Sequence, residues 1–110
     1  RGYWFAPTVF TNVAQSYRIA QEEIFGPVLS VLTFRTPEEA VEKANNTPYG
    51  LSAGVWTEKG SRILHMVRKM KAGVVWVNGT NMFDAACGFG GIPYGRPGRS
   101  CISLIFSTEA

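Results

Sequence analysis

The sequence predicts an α/β fold built on a parallel β-sheet, because strand-like and helix-like patterns alternate along its centre. Apolar runs at 28–34, 51–56 and 74–77 indicate three strands, and the first is hydrophobic almost throughout, as in strands buried on both faces. Helical patterns begin between these strands, at Thr36 and Ser61. This order is typical of parallel sheets with right-handed crossovers, whose ligands bind beyond the carboxyl ends of the strands.

The two predicted helices carry start and packing signals. Thr36 can cap the first helix, Pro37 suits its first helical position, and Glu39 has the spacing of a capping box. The second helix has an apolar stripe at i, i+3, i+4 and i+7, formed by Ile63, Met66, Val67 and Met70. Each helix is therefore expected to bury one face.

Outside this central region the patterns are weaker. Thr8 to Phe10 follows a proline and is a plausible strand, whereas residues 11–20 are polar and loop-like. Gly, Pro and Arg are concentrated at 88–99, which predicts irregular structure there. Residues 102–106 are compatible with a last strand.

Length, composition and charge fit an ordinary globular domain or a piece of one. The chain has 110 residues, of which 45% are hydrophobic and 17% charged, with a net charge of +3. Residues 51–110 hold seven basic against three acidic residues, a local excess of +4, and four of the basic residues lie in one helical stretch. Because basic and aromatic residues are not interleaved, we interpret this stretch as a solvated helix face rather than a nucleic-acid site.

Cysteine and apolar patterns argue against metal, disulfide and membrane functions. The two cysteines, Cys87 and Cys101, and the single histidine, His65, have no metal-ligand spacing. No apolar run approaches the length of about 18 residues that a membrane span needs. A reduced, cytoplasmic setting is the expectation. The first residues of the sequence include neither an initiator Met nor the features of a signal peptide. We therefore expect the sequence to begin inside a longer reading frame.

Several stretches resemble the aldehyde dehydrogenase superfamily. Residues 2–10 look like its Gly-aromatic-x-x-x-Pro-Thr strand, and residues 21–28 match its Glu-x-Phe-Gly-Pro signature. Residues 45–51 and 72–78 resemble two further segments of its catalytic domain at the right separation. Residues 80–91 are similar to the branch of two-module aldehyde dehydrogenases, some of whose members are non-catalytic.

The resemblance implies a domain assignment. Residues 1–91 would be the C-terminal part of a three-layer, parallel-sheet catalytic domain. Residues 92–110 depart from the family pattern and would be a divergent, irregular tail in place of the family's dimerisation strand. The complete protein would be a homo-oligomer, as family members commonly are.

The resemblance also implies site residues by position. Glu23 would bind the nicotinamide-ribose hydroxyls of NAD or NADP, and Phe25 would pack beside the nicotinamide. The alternative is that Glu23 is an ordinary surface acid and Phe25 a core residue. Phe83 and Phe89, in the loop that follows the third strand, would be walls for an apolar aldehyde. Plain loop packing explains these two phenylalanines equally well.

The family's chemistry needs residues that this sequence does not show. A cysteine attacks the aldehyde, hydride passes to NAD(P), and a glutamate activates water to release a carboxylic acid. Those motifs lie upstream of the matching region in the family, and Cys87 belongs to a different segment. The implied function is therefore a segment of an aldehyde-oxidising enzyme, without catalytic residues and inactive alone. The alternative is a truncated, non-catalytic relative that acts by association with a partner.

Overall fold

The computed structural model describes residues 2–87 and the backbone of residues 104–107. In these described residues, five short strands and three helices follow the order β-α-β-α-β-α-β-β. They are β1 (Thr8–Phe10), α1 (Arg18–Gln21), β2 (Val28–Ser30), α2 (Pro37–Asn45), β3 (Ser52–Trp56), α3 (Gly60–Lys69), β4 (Val74–Val77) and β5 (Leu104–Ser107).

The strands form two sheets in which every pairing is parallel. One sheet pairs β1 with β2, and the other has the order β4-β3-β5. The predicted α/β class with parallel strands is therefore confirmed. The expectation that β2 belongs to the same sheet as β3 and β4 is wrong for the described residues, because β2 pairs with β1.

Only the first part of the apolar run at 28–34 forms a strand, and its end contacts the core. This explains why β2 does not belong to the larger sheet. Its first three residues form β2, with Leu29 opposite Val9. Farther along, Phe34 packs against the buried core formed by α2, β3 and α3. Continuous hydrophobicity therefore reflects a strand followed by a core contact, rather than one long central strand.

The core lies where α2 and α3 cover β3. It consists of small and flexible side chains, namely Ala40, Val41, Ala44, Ala53, Val55, Met66 and Met70. Met66 and Val55 are its largest fully buried members. The predicted stripe of α3 is thus confirmed at Met66 and Met70, while Ile63 and Val67 are half-buried.

The start of α2 has the predicted cap. The Glu39 backbone N–H donates to Thr36 Oγ1 at 3.2 Å, and Pro37 occupies the first turn. The Glu39 carboxylate accepts in turn from the Arg35 N–H at 2.7 Å. Hydrogen bonds from Lys43 and then from Arg35 hold the pKa of Glu39 below its usual value. The carboxylate therefore stays ionised and supports the cap until the pH falls through that lowered pKa.

Replacing Thr36 with alanine is expected to lower the free energy of unfolding by about 1 kcal/mol, because the Glu39 N–H loses its acceptor. Urea denaturation followed by circular dichroism measures the change. Thr11→Ala is the matched control, since Thr11 is exposed and outside any helix. Equal losses in the two variants would contradict the capping role.

Two segments differ from the sequence-based expectations. The end of the stretch 11–20, predicted to be loop, lies in α1, where Arg18 and Glu22 make an ion pair of 2.7 Å one turn apart. Strand β5 covers most of the predicted strand at 102–106 and pairs with β3. The rest of the predicted irregular tail, including 88–99, lies outside the described residues.

None of the helices within the described ranges is long and apolar enough to cross a membrane.

Candidate functional site

A six-residue turn at 22–27, which we call the Glu23 turn, connects α1 to β2. At its start the Glu22 N–H donates to the Arg18 carbonyl at 2.8 Å. At its end the Pro27 carbonyl accepts from the Thr8 N–H at 2.9 Å, and the Val28 N–H donates to the Gly26 carbonyl at 2.8 Å. Both ends of the turn are therefore fixed by backbone hydrogen bonds.

Phe25 occupies the apex of this turn in a conformation that costs free energy. Its φ is 55°, in the left-handed region that bulky residues seldom adopt, and its side chain is 83% exposed. Within the described residues, burial of the ring does not compensate for the strain. A strained, exposed aromatic residue is typical of a position that contacts a ligand.

Glu23 lies two residues earlier and is half-buried. Its backbone N–H donates to the Tyr49 hydroxyl at 3.2 Å, across a separation of 26 residues. Tyr49 immediately precedes Gly50, whose carbonyl accepts from the Gly73 N–H at the start of β4. The Glu23 turn is thereby attached to the larger sheet. Beyond the place of Tyr49 in the family-like stretch 45–51, nothing in the sequence indicates this contact.

Side-chain amides attach the residues just before the turn to the end of α2. Gln21 Nε2 lies 3.0 Å from the Gln15 carbonyl and 3.0 Å from the Asn46 carbonyl. Gln15 Nε2 donates to the Lys43 carbonyl at 2.7 Å. These bonds satisfy carbonyls at the C-terminus of α2 and hold Gln21 in place, so the turn begins from a fixed point.

A second candidate region follows β4. Asn78 adopts a φ of 50°, and its side-chain amide bonds the backbone of Thr57 twice. Asn78 Oδ1 accepts from the Thr57 N–H at 2.9 Å, and Asn78 Nδ2 donates to the Thr57 carbonyl at 3.0 Å. The amide therefore acts as an extra backbone unit that extends the β3–β4 pairing and fixes the start of the loop.

Phe83 lies in that loop and packs on β4. Its ring meets the Trp76 ring edge-on, with centroids 5.6 Å apart and an interplanar angle of 88°. Phe83 and its neighbour Met82 nevertheless remain largely exposed. The structure thus shows loop packing and an accessible apolar surface at the same residue. Phe89 lies outside the described residues.

The two regions are attached at different ends of the β3–β4 pair. The loop after Asn78 leaves β4 at its carboxyl end, as the sequence predicted. The Glu23 turn precedes β2 and bonds Tyr49, just before β3, so it lies at the amino ends of its neighbouring strands. The Glu23 turn is thus attached near the start of β3, and the apolar loop follows the end of β4.

The charges around the Glu23 turn are carboxylates and one arginine. Arg18 lowers the pKa of Glu22, first by a side-chain hydrogen bond and then by its charge. Within the described part of the chain, no group of three His, Cys, Asp or Glu residues could hold a metal ion. Cys87 is exposed, and its N–H bonds the Asp84 carbonyl at 3.0 Å.

The sequence model of the aldehyde dehydrogenase family matches residues 1–102. The chain belongs to the aldehyde dehydrogenase family. The match extends beyond Gly91, past the region that the sequence patterns resembled. Aldehyde dehydrogenase family 2 member B4 of Arabidopsis thaliana is 48% identical over 99 residues, which are 90% of this chain and 18% of that protein. Chicken aldehyde dehydrogenase 1A1 is 46% identical over 99 residues, 90% of this chain and 19% of that protein.

Solved aldehyde dehydrogenase structures share the fold of the chain. A P. syringae indole-3-acetaldehyde dehydrogenase in complex with NAD+ is 55% identical, with a TM-score of 0.76 over 79% of this chain and 18% of that one. Staphylococcus aureus betaine aldehyde dehydrogenase with NAD+ is 40% identical, with a TM-score of 0.81 over 84% of this chain and 18% of that one. The chain thus spans about a fifth of the length of the curated aldehyde dehydrogenases it matches.

Proposed function

We propose that this chain is a segment of the catalytic domain of an NAD(P)-dependent aldehyde dehydrogenase that oxidises aldehydes to carboxylic acids. The observation that carries the proposal is the Glu23 turn, which presents a strained, exposed Phe25 beside a half-buried Glu23. The P. syringae and S. aureus structures that share the fold contain NAD+. A nicotinamide cofactor, when bound, accepts the hydride of the aldehyde.

The residues of the Glu23 turn fit the nicotinamide end of such a cofactor. A carboxylate has acceptor oxygens for both hydroxyls of a ribose, and such charge-assisted hydrogen bonds are among the strongest in proteins. Glu23 would supply that carboxylate. The exposed ring of Phe25, held by the left-handed backbone, would limit the movement of the nicotinamide. Together the two side chains would orient the cofactor, while the rest of the protein supplies the nucleophile and the base.

The loop after Asn78 suits the substrate side of the same domain. Met82 and Phe83 expose apolar surface on a loop that is fixed by Asn78 and by the Trp76 ring. An apolar aldehyde would contact Phe83, and Phe89 would complete the wall. We further propose a homo-oligomer in the cytoplasm, with a small aldehyde rather than a nucleic acid or a membrane as partner.

The alternative function, association with a partner without catalysis, would use the uncovered face of the smaller sheet. Val9 and Leu29 lie opposite each other on β1 and β2 and are 59% and 53% exposed. Tyr3, Trp4 and Phe5, shortly before β1, are also exposed. Large exposed apolar surface is typical of an interface. The remainder of an aldehyde dehydrogenase chain would cover it equally well, so this face does not favour the alternative over the enzyme.

A segment exchange tests the proposed function. In the P. syringae enzyme, the stretch that matches this chain would be replaced by the corresponding residues of this chain, producing what we call the exchange enzyme. We expect it to bind NAD+ and to form NADH from indole-3-acetaldehyde, because the segment would complete the cofactor site. The isolated 110-residue chain is expected to form no NADH. A folded exchange enzyme without NAD+ binding, or turnover by the isolated chain, would contradict the proposal.

A further inference from the structure

Tyr49 joins two parts of the fold that are distant in sequence. Its hydroxyl oxygen lies 3.2 Å from the Glu23 backbone nitrogen, and the tyrosine is half-buried. It thereby connects the Glu23 turn to the segment that enters β3. The family-derived roles of Glu23 and Phe25 leave this tyrosine without an assigned function.

The position of Tyr49 is itself fixed on both sides. Its N–H donates to Thr47 Oγ1 at 3.3 Å. The next carbonyl, that of Gly50, accepts from the Gly73 N–H at 2.9 Å and so belongs to the start of the β3–β4 pairing. The tyrosine also lines a narrow cleft with Ala44 and Met70, two members of the core. The phenol oxygen is consequently presented from a rigid part of the molecule.

The Glu23 turn needs such an attachment between its fixed ends. Phe25 is in the left-handed region, and a turn free to relax would return it to a conformation of lower energy. Backbone hydrogen bonds act at Glu22, before the strained residue, and at Gly26 and Pro27, after it. On the side before Phe25, the bond from the Glu23 N–H to Tyr49 acts closer to Phe25 than the bond at Glu22 does, which opposes that relaxation.

We propose that Tyr49 is a positioning residue of the cofactor site, whose hydroxyl holds the Glu23 backbone so that the Glu23 carboxylate and the Phe25 ring face the nicotinamide riboside together. This inference rests on the proposed function of the Glu23 turn. Tyr49 acts on the cofactor only through that turn and does not touch the aldehyde. Its removal therefore affects cofactor binding and leaves aldehyde binding unchanged.

Tyr49→Phe in the exchange enzyme tests the role. We expect the KM for NAD+ to rise about two- to tenfold, the effect of losing one neutral hydrogen bond, with an unchanged KM for the aldehyde and an unchanged melting temperature. Tyr17→Phe is the matched control, because Tyr17 is an exposed tyrosine that loses the same atom, and it should change none of the three. An unchanged KM for NAD+ in Tyr49→Phe, or a parallel rise in both KM values, would overturn the inference.

The outcomes separate this inference from the proposed function. If the unsubstituted exchange enzyme folds but does not bind NAD+, the proposed function fails first and the inference falls with it. If that enzyme binds NAD+ and Tyr49→Phe binds it equally well, only the inference fails.

A second measurement applies if Tyr49→Phe prevents folding of the exchange enzyme. In the full 110-residue chain, amide hydrogen exchange at Glu23 reports the same hydrogen bond without any cofactor. Tyr49→Phe is expected to accelerate exchange at Glu23 about two- to tenfold and to leave the Met70 amide, inside the core, unchanged. Equal exchange at Glu23 in both chains would overturn the inference.

Discussion

Replacing Met66 with alanine is expected to lower the free energy of unfolding by about 2–5 kcal/mol. Met66 is 0% exposed and lies on α3 in the core shared with α2 and β3. Its neighbours there include Ala40, Ala44 and Ala53, small side chains that cannot extend into the space that the truncation leaves. The loss would be a large part of the stability of a small domain, which totals about 5–15 kcal/mol.

Urea denaturation followed by circular dichroism measures this effect. Leu64→Ala is the matched control, because Leu64 lies on the same helix but is 61% exposed. We expect the control to lose about 0.5 kcal/mol or less, as is usual for surface positions. Similar losses in the two variants would show that α3 does not pack on β3 through Met66.

Much of the region from α2 to β4 could be predicted because its signals are local. The Thr36 cap and the stripe that contains Met66 and Met70 depend on residues three or four positions apart, and both are present in the structure. The parallel pairing of β3 with β4 follows from the helix between them. Short-range spacing was therefore sufficient for this part of the fold.

The pairing of β2 and the presence of α1 could not be predicted from local spacing in the same way. The apolar run at 28–34 is equally compatible with a partner on either side, and only the folded chain shows that β2 pairs with β1. The helix at 18–21 has no apolar stripe, and it is accompanied by the Arg18–Glu22 ion pair, which composition alone does not reveal. The strand pairing carries no periodic signal, and the single i,i+4 pair of Arg18 and Glu22 was too short a pattern to predict a helix.

In the candidate site, too, some features could be predicted from the sequence and others required the folded structure. Glu23 and Phe25 were identified through a family signature, and the structure adds the left-handed backbone and the exposure of Phe25. Neither is visible in the sequence, since phenylalanine usually predicts burial. Tyr49 was missed because its hydroxyl reaches a residue 26 positions away. The loop with Phe83 was placed correctly after the third strand, but the two bonds from Asn78 to Thr57 required the folded structure.

Replacing Glu23 with glutamine in the exchange enzyme is expected to weaken NAD+ binding about tenfold to a hundredfold. The carboxylate and the amide have nearly the same shape, so the turn and its bond to Tyr49 should persist. Glutamine keeps one acceptor oxygen but loses the charge, and hydrogen bonds to a charged group contribute about 1.5–3 kcal/mol. The KM for the aldehyde should change less than NAD+ binding, because Phe83 lies in a different loop, which Glu23 does not position.

Titration calorimetry of NAD+ into the exchange enzyme, with Glu23→Gln compared against Glu22→Gln, tests the central claim most directly. The two variants remove the same charge from adjacent residues, but Glu22 is paired with Arg18 on the surface. If Glu23 holds the nicotinamide ribose, only Glu23→Gln should lose affinity. Equal affinity in Glu23→Gln and the unsubstituted enzyme would contradict the assignment of the Glu23 turn to the cofactor.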